Sequence, residues 1–253
     1  MRIPLILGVI LAGQAQALEL TYQSSYDLNR PASLDYDPTF CGLWIANEGP
    51  EVILMTLQGD ELRRFGSDLS RIKAVTVEGN DLLVADGLGN FQRLTKDGAP
   101  LADPFRSSQG WADTEGIAID TDGSIISVED DPERMTWFSP DGQVTRQVNM
   151  MSFNPPLSEA QGIARDDRTG HLLIVDDWEG SNSLYEFDAA GELLGFTSLL
   201  PYGRDPEGIA IRPGSGQVFI AFDQGATIAS FTYEPTLPPG VDPPEPGPDC
   251  LMF

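Results

Sequence analysis

The sequence predicts an all-β fold, a five-bladed β-propeller built from four-stranded antiparallel blades. The first observation is a repeated phrase: DTEGIAID, EAQGIARD and DPEGIAIR begin at Asp113, Glu159 and Asp205, each 46 residues after the last. The second is that two earlier segments fit the same register, with no helical period competing over a comparable length. Repeats of this length, each holding four short strands, are typical of propeller blades. The register places one small residue per repeat in a single column: Ala32, Ala74, Gly116, Gly162 and Gly208.

Each repeat is interpreted as four strands joined by tight turns. In the third repeat the apolar segments EGIAID, SIISVE, MTWFS and QVTRQVNM are separated by TDG, DDPER and PDG. The Asp-Gly pairs at Asp122 and Asp141 favour hairpin turns. The fourth repeat follows the same pattern. We therefore expect antiparallel blades whose first strands surround a narrow axis, where a small residue leaves room for neighbouring strands.

The last repeat predicts how the ring closes. It has three strands, after which the chain continues as PTLPPGVDPPEPGPDC, and so many prolines cannot continue a sheet. A lone strand, LELTYQSSYDL from Leu18 to Leu28, precedes the first repeat. Pairing this strand with the last blade supplies the missing fourth strand and removes a free edge. A six-bladed ring is the alternative, and it would need a blade that the sequence does not offer.

The two ends of the chain are assigned to other roles. Residues 1–17 combine Arg2, a short apolar run and an Ala-Gln-Ala end at Ala17, the pattern of a secretory signal peptide. The apolar run is too short to span a bilayer. We expect a signal peptide over 1–17, a propeller domain over 18–233 and a Pro-rich acidic tail over 234–253. The protein is expected to be exported to the periplasm or secreted, soluble, monomeric and not inserted in a membrane.

The charge balance restricts the partners. The chain has 39 acidic and 15 basic side chains, a net charge of −24. Nucleic acids and anionic membranes require basic patches, so neither is an expected partner. Two interpretations of the acidity remain open. The carboxylates are spread over the surface for solubility or a salty habitat, or some of them converge on a cation.

Acidic residues recur at one end of each repeat. Because strand two runs back along strand one, its end lies on the same face as the start of strand one. Every repeat places a carboxylate at the end of strand two, and these residues are expected to form an acidic rim: Glu48, Asp86, Glu129, Asp130, Asp176, Asp177 and Asp223. The residues that precede the small column share this face: Pro31, Lys73, Glu115, Gln161 and Glu207.

The second set predicts a metal site. Carboxylates that point toward one axis repel each other, and burial increases that cost. Calcium accepts six to eight oxygen ligands in flexible geometry. We therefore expect Glu115, Gln161 and Glu207 to surround a calcium ion at the channel mouth. The alternatives are an exposed acidic rim and Lys73 as an internal counter-ion. Zinc or iron is not expected, since His171 is the sole histidine and no cysteine cluster exists.

The repeats also resemble known families. Their general pattern resembles NHL-type propellers, and the EGIA phrases with acidic strand ends resemble more closely the SdiA-regulated family of exported bacterial proteins. Phytase-like esterases are a second resemblance. The resemblance implies a five-bladed propeller with calcium in the central funnel. Glu115 and Glu207 match the glutamate before glycine, Gln161 is a conservative variant, and Lys73 and Pro31 depart from the pattern.

Three functions remain after these exclusions. The first is a calcium-stabilised binding propeller without catalytic activity. The second is a metal-dependent hydrolase of the phytase-like esterase or lactonase type, in which the metal polarises the substrate and a carboxylate acts as base. The third is a scaffold without metal. Separately, Cys41 and Cys250 are expected to form a disulfide that ties the tail to the first repeat.

Overall fold

The computed structural model describes residues 16–28, 31–178, 181–238 and 240–242. Within them the chain is almost entirely β, with one short 3₁₀ turn at Met150–Ser152. No helix in this part of the chain has the length and apolarity needed to cross a membrane. The first ten strands are β1 Gln16–Ala17, β2 Glu19–Asp27, β3 Ser33–Asp37, β4 Gly42–Ala46, β5 Glu51–Thr56, β6 Glu61–Gly66, β7 Ala74–Glu78, β8 Asp81–Ala85, β9 Asn90–Thr95 and β10 Phe105–Arg106. The others are β11 Thr114–Ile119, β12 Ile125–Glu129, β13 Arg134–Phe138, β14 Val144–Asn149, β15 Ala160–Arg165, β16 Leu172–Asp176, β17 Ser183–Phe187, β18 Leu193–Ser198, β19 Arg204–Ile211, β20 Gln217–Gln224 and β21 Thr227–Glu234.

These strands form five antiparallel four-stranded blades, which confirms the predicted propeller. Blades 1 to 5 have the orders β3-β4-β5-β6, β7-β8-β9-β10, β11-β12-β13-β14, β15-β16-β17-β18 and β19-β20-β21-β2. The first strand of each blade contacts the first strand of the next, and β19 contacts β3. The five inner strands therefore form a closed ring around the axis.

The N-terminal strand closes the ring as predicted. β2 pairs antiparallel with β21, from Glu19 opposite Glu234 to Asp27 opposite Thr227. The last blade thereby gains the fourth strand that its own repeat lacks. Just before it, β1 pairs parallel with β18 on the outer edge of blade 4. The predicted signal peptide otherwise lies outside the described residues, as does the tail from 243 onward.

The apolar core lies between successive blades, with one cluster at each of the five interfaces. Between blades 1 and 2, for example, Trp44 and Leu54 pack against Val75 and Leu82, all at 1% exposure or less. Alternate side chains of a strand point to opposite faces, so each blade contributes one face to each neighbouring interface. This packing fixes the positions of the inner strands, and hence of the residues at their ends.

The glycines of the small column are required by close packing around the axis, and the neighbour of Gly208 is Ser33 rather than the predicted Ala32. A Cβ on Gly162 would lie 2.6 Å from the carbonyl oxygen of Glu207 and 3.0 Å from the Cα of Gly208. A Cβ on Gly116 would lie 2.6 Å from the carbonyl oxygen of Gln161. Neighbouring backbones therefore meet at the glycines, which brings the side chains just before them to the same end of the channel.

Candidate cation site at the channel mouth

The starts of the inner strands and the ends of the second strands meet at one end of the ring. In blade 3 the register places Thr114 opposite Glu129, and in blade 4 Ala160 opposite Asp176. Loops from all five blades surround this opening, which we call the acidic mouth. Its charged and amide residues are Glu48, Lys73, Asp113, Glu115, Asp130, Glu159, Gln161, Asp177, Glu207 and Asp223.

Lys73 is a cation built into the acidic mouth. Its Nζ forms an ion pair with Glu115 and lies 3.4 Å from Asp113 Oδ1 and 3.9 Å from Glu48 Oε1. Burial alone would lower the pKa of Lys73, but these three carboxylates outweigh burial and raise it. Lys73 therefore stays charged and neutralises part of the mouth, as the counter-ion alternative anticipated.

Glu207 has no such partner. Among the described residues, no hydrogen-bond donor or ion-pair partner reaches its carboxylate, although the side chain is partly buried. It lines a cavity of about 120 Å³ together with Glu48, Asp223, Pro31 and Ala32. Burial raises the pKa of Glu207 to about 8, and repulsion from neighbouring carboxylates, Asp177 first, adds to the shift. At neutral pH this group is either protonated or accompanied by a cation.

A cluster of three carboxylates lies around Lys73. One oxygen from each of Asp113, Glu115 and Asp130 lies within 4.8 Å of the others, a spacing that a metal ion could bridge. The ammonium of Lys73 already contacts two of these three residues. This part of the mouth therefore carries its own cation, which also lies 3.9 Å from Glu48 Oε1, whereas no described cation pairs with Glu207.

A further cluster of carboxylates lies on the blade 4 side of the acidic mouth. Gln161 Nε2 donates a hydrogen bond to Asp177 Oδ1 at 3.4 Å, and the backbone amide of Asp177 donates to the carbonyl of Glu159 at 3.0 Å. Burial, followed by the charge of Glu159, raises the pKa of Asp177 to about 7. Asp130 has a raised pKa for the same two reasons. Asp177 and Glu159 therefore lie near each other, and no described cation pairs with either of them.

The predicted rim residues divide into two sets. Glu48, Asp130, Asp177 and Asp223 lie at the mouth, whereas the other three stabilise their own blades. Asp86 accepts hydrogen bonds from the backbone amides of Leu88 and Asn90 at 2.7 and 3.1 Å and so closes the turn after β8. Glu129 pairs with Arg134 at 2.6 Å, and Asp176 accepts from the amides of Ser158 and Glu159. A position at the end of a strand thus fixes where a residue lies along the channel axis, but not the direction of its side chain.

The predicted metal ligands are likewise separated by their partners. Glu115 is neutralised by Lys73, Gln161 bonds to Asp177, and Glu207 faces the cavity. Their convergence on one ion stays a prediction.

Two residues of the mouth were missed from the sequence, Asp113 and Glu159. Each stands two positions before the Glu or Gln that was selected, in the phrases DTEG and EAQG. Residues i and i+2 of an extended segment point to the same side. An acidic residue at this position was therefore a usable signal for the same surface.

Comparisons with known proteins show the fold. No protein-family model matches the chain, and no curated protein matches it. Among solved structures, Myxococcus xanthus glutaminyl cyclase has a TM-score of 0.69 at 14% identity, over 87% of this chain and 99% of that one. Virginiamycin B lyase from Staphylococcus aureus has a TM-score of 0.53 at 15% identity, over 80% of this chain and 66% of that one. The β-propeller domain of Cps50 (Swd1) from Myceliophteria thermophila has a TM-score of 0.53 at 9% identity, over 85% of this chain and 99% of that one.

Proposed function

We propose that the acidic mouth binds a cation, with calcium as the first candidate, and that the protein is a binding module organised around it. The observation that carries this proposal is the environment of Glu207. Its carboxylate is partly buried next to Glu48 and Asp223, and no hydrogen-bond donor among the described residues reaches it. A buried carboxylate without a partner is costly, and a cation removes the cost. Oxygen ligands without nitrogen or sulfur suit a hard cation such as calcium.

The position of the ion follows from Lys73. Because Lys73 already neutralises Glu115, a second cation gains most at Glu207, which has no ion-pair partner among the described residues. We therefore place the ion on Glu207, with Glu48 and Asp223 as the adjacent ligands. Gln161 and Glu115 would join it only if the Gln161–Asp177 and Lys73–Glu115 contacts opened.

The sequence features support a more specific description. The resemblance of the EGIA phrases to the SdiA-regulated propellers and the predicted signal peptide support an exported, monomeric binding protein. The high negative charge supports a ligand or partner that is not a polyanion.

The test is calcium-dependent stability of the mature protein after chelator treatment. Calcium at about a hundred times Kd should add about 2.7 kcal/mol to the free energy of unfolding. Magnesium should add less, because it retains its waters and requires a stricter octahedron. Glu207→Gln should reduce the calcium effect, whereas Glu192→Gln, in an exposed turn after β17, should not. An unchanged melting temperature in millimolar calcium would refute the calcium site.

A metal-dependent hydrolase is the second candidate, favoured by two carboxyl groups at the mouth. The pKa of Asp177, about 7, suits proton transfer near neutral pH, while Glu207 would hold the ion. A panel of esters, lactones and phosphate esters with and without calcium tests this activity. A peptide with N-terminal glutamine belongs in the panel, because one structural neighbour is a glutaminyl cyclase. Turnover that is lost in Asp177→Asn would favour the enzyme.

A further inference from the structure

An apolar groove opens on the same face as the acidic mouth, between the loops of blades 3 and 4. It has a volume of about 330 Å³ and is lined by Pro155, Pro156, Trp178, Tyr185 and Phe196, with serines along one side. Trp178 is 47% exposed. A pocket of this size suits a small organic molecule.

The groove is rigid on the side of blade 4. The Tyr185 hydroxyl donates to the carbonyl of Pro156 at 3.0 Å, which holds the proline loop against the blade. The rings of Tyr185 and Phe196 stack with centroids 5.8 Å apart. A ligand would therefore find a preformed aromatic wall, which lowers the entropy lost on binding.

One end of the groove borders acidic residues, although none of the residues that line the groove is acidic. Trp178 directly follows Asp177, and Ser158, which lines the groove, directly precedes Glu159. The two segments are joined by the hydrogen bond from the Asp177 amide to the Glu159 carbonyl at 3.0 Å. No described cation pairs with either carboxylate.

A third carboxylate, that of Asp176, lies beneath the two segments and also favours a positively charged ligand. Asp176 is fully buried and its Oδ1 accepts from the amides of Ser158 and Glu159 at 3.0 and 2.9 Å. Its Oδ2 accepts no further hydrogen bond of normal geometry, although the Ser181 side chain lies close enough to favour the charged form of the carboxylate. A third carboxylate thus adds to the negative potential at the acidic end of the groove.

The distribution of exposed apolar side chains singles out the same face. Ten large hydrophobic residues of the described chain are exposed, and six of them belong to loops around the acidic mouth: Leu88, Trp111, Met151, Trp178, Leu200 and Tyr202. Exposed apolar residues concentrated on one face mark an interaction surface. Beside so many carboxylates, the matching occupant combines an apolar body with a positive charge.

We propose that this groove binds a small organic amine, with its apolar or aromatic body against Trp178 and Phe196 and its ammonium group between Asp177 and Glu159. The ammonium of Lys73, held among carboxylates of the same mouth, shows that this environment accepts an alkylammonium group. The apolar wall favours the apolar body of the amine, and the carboxylates favour its positive charge. Different residues line this groove and the calcium position on Glu207, so each proposal can fail without the other.

The experiment uses 2-phenylethylamine as the probe, with 2-phenylethanol and methylamine as matched controls. Binding to the full mature protein is followed by calorimetry and by tryptophan fluorescence, in chelator and again in calcium. The amine should bind at least about tenfold more tightly than the alcohol, since a hydrogen bond to a charged group contributes about 1.5–3 kcal/mol. Methylamine should also bind more weakly, because it leaves the apolar wall uncovered.

Variants locate the site. Trp178→Ala and Asp177→Asn should each weaken 2-phenylethylamine binding about tenfold. Trp111→Ala, elsewhere on this face, and Asp141→Asn, in an exposed turn after β13, should leave it unchanged. Melting temperatures confirm that each variant is folded. Equal binding of the amine and the alcohol, no binding at millimolar probe, or unchanged binding in Trp178→Ala would overturn the proposal.

Discussion

The ammonium of Lys73 and the carboxylate of Glu115 form an ion pair that joins blade 2 to blade 3 at the acidic mouth. Both residues hold the same repeat position, directly before the small column. Their side chains are 12% and 3% exposed, so the pair is shielded from water. One repeat thus supplies a counter-ion for the next, and the equivalent residue of blade 5, Glu207, has no described partner.

Removing the Lys73 charge should destabilise the protein. Lys73→Met leaves Glu115 buried without a partner, which typically costs about 3–5 kcal/mol. The double variant Lys73→Met with Glu115→Gln should recover most of that loss, because no charge then remains. Urea unfolding of the two single variants and the double variant measures the effect. Additive losses in the double variant would show that the pair does not act as a unit.

The stability of the protein should fall as the pH rises from about 4.5 to about 8. The folded-state pKa of Glu207 is raised to about 8, so the folded state binds its proton more tightly than the unfolded state does. Its favourable contribution is complete below the unfolded pKa and is lost as the pH passes through the folded value. Chelated wild-type protein and Glu207→Gln are compared by urea unfolding at pH 5, 7 and 9. The variant should gain relative to wild type at high pH, and parallel curves would contradict the assignment.

The glycines of the small column should not tolerate an added methyl group. Gly162→Ala places a Cβ 2.6 Å from the Glu207 carbonyl and 2.9 Å from the Ile209 amide nitrogen, both backbone atoms. Such overpacking typically costs about 1–3 kcal/mol. Gly49→Ala is the control, since its Cβ meets a single side-chain atom of Asn47 at 3.1 Å. Chemical denaturation of both variants tests this, and similar midpoints would show that the inner strands can move apart.

Loss of the N-terminal strand should open the ring. Deleting residues 18–28 removes β2 and exposes the hydrogen-bonding edge of β21. We expect loss of cooperative thermal unfolding and a tendency to associate through the open edge. Calorimetry and light scattering measure these two effects. A truncated protein that melts like the full-length protein and stays monomeric would disprove the role of this closure.

The Cys41–Cys250 disulfide stays a prediction, because Cys250 lies outside the described residues. Freshly exported, non-reduced protein should show no free thiol in titration. Because β2 already closes the ring, Cys250→Ser should leave the melting temperature of the propeller nearly unchanged while freeing the tail. Two titratable thiols in the oxidised protein would exclude the bond.

The sequence by itself determined the propeller and its closure. The phrases at Asp113, Glu159 and Asp205 are periodic because every blade meets the same packing demand at the axis, and the glycines report that demand directly. The last repeat lacks a fourth strand after Thr227–Glu234, and one strand before Ser33 belongs to no repeat. Pairing the two was the expected solution, since an unpaired strand edge is costly. Regular packing repeats along the chain, and so a single sequence displays it.

The tertiary structure decided which carboxylates belong to the mouth. Asp86, Glu129 and Asp223 occupy comparable repeat positions, yet the first closes a turn, the second pairs with Arg134 and the third lines the cavity beside Glu207. It also placed Lys73 on Glu115 and left Glu207 without a described partner. These outcomes depend on side-chain direction and on neighbours from other blades. The ion pair of Lys73 and Glu115 joins residues about 40 positions apart in the chain. The sequence pattern within one repeat does not predict such a contact.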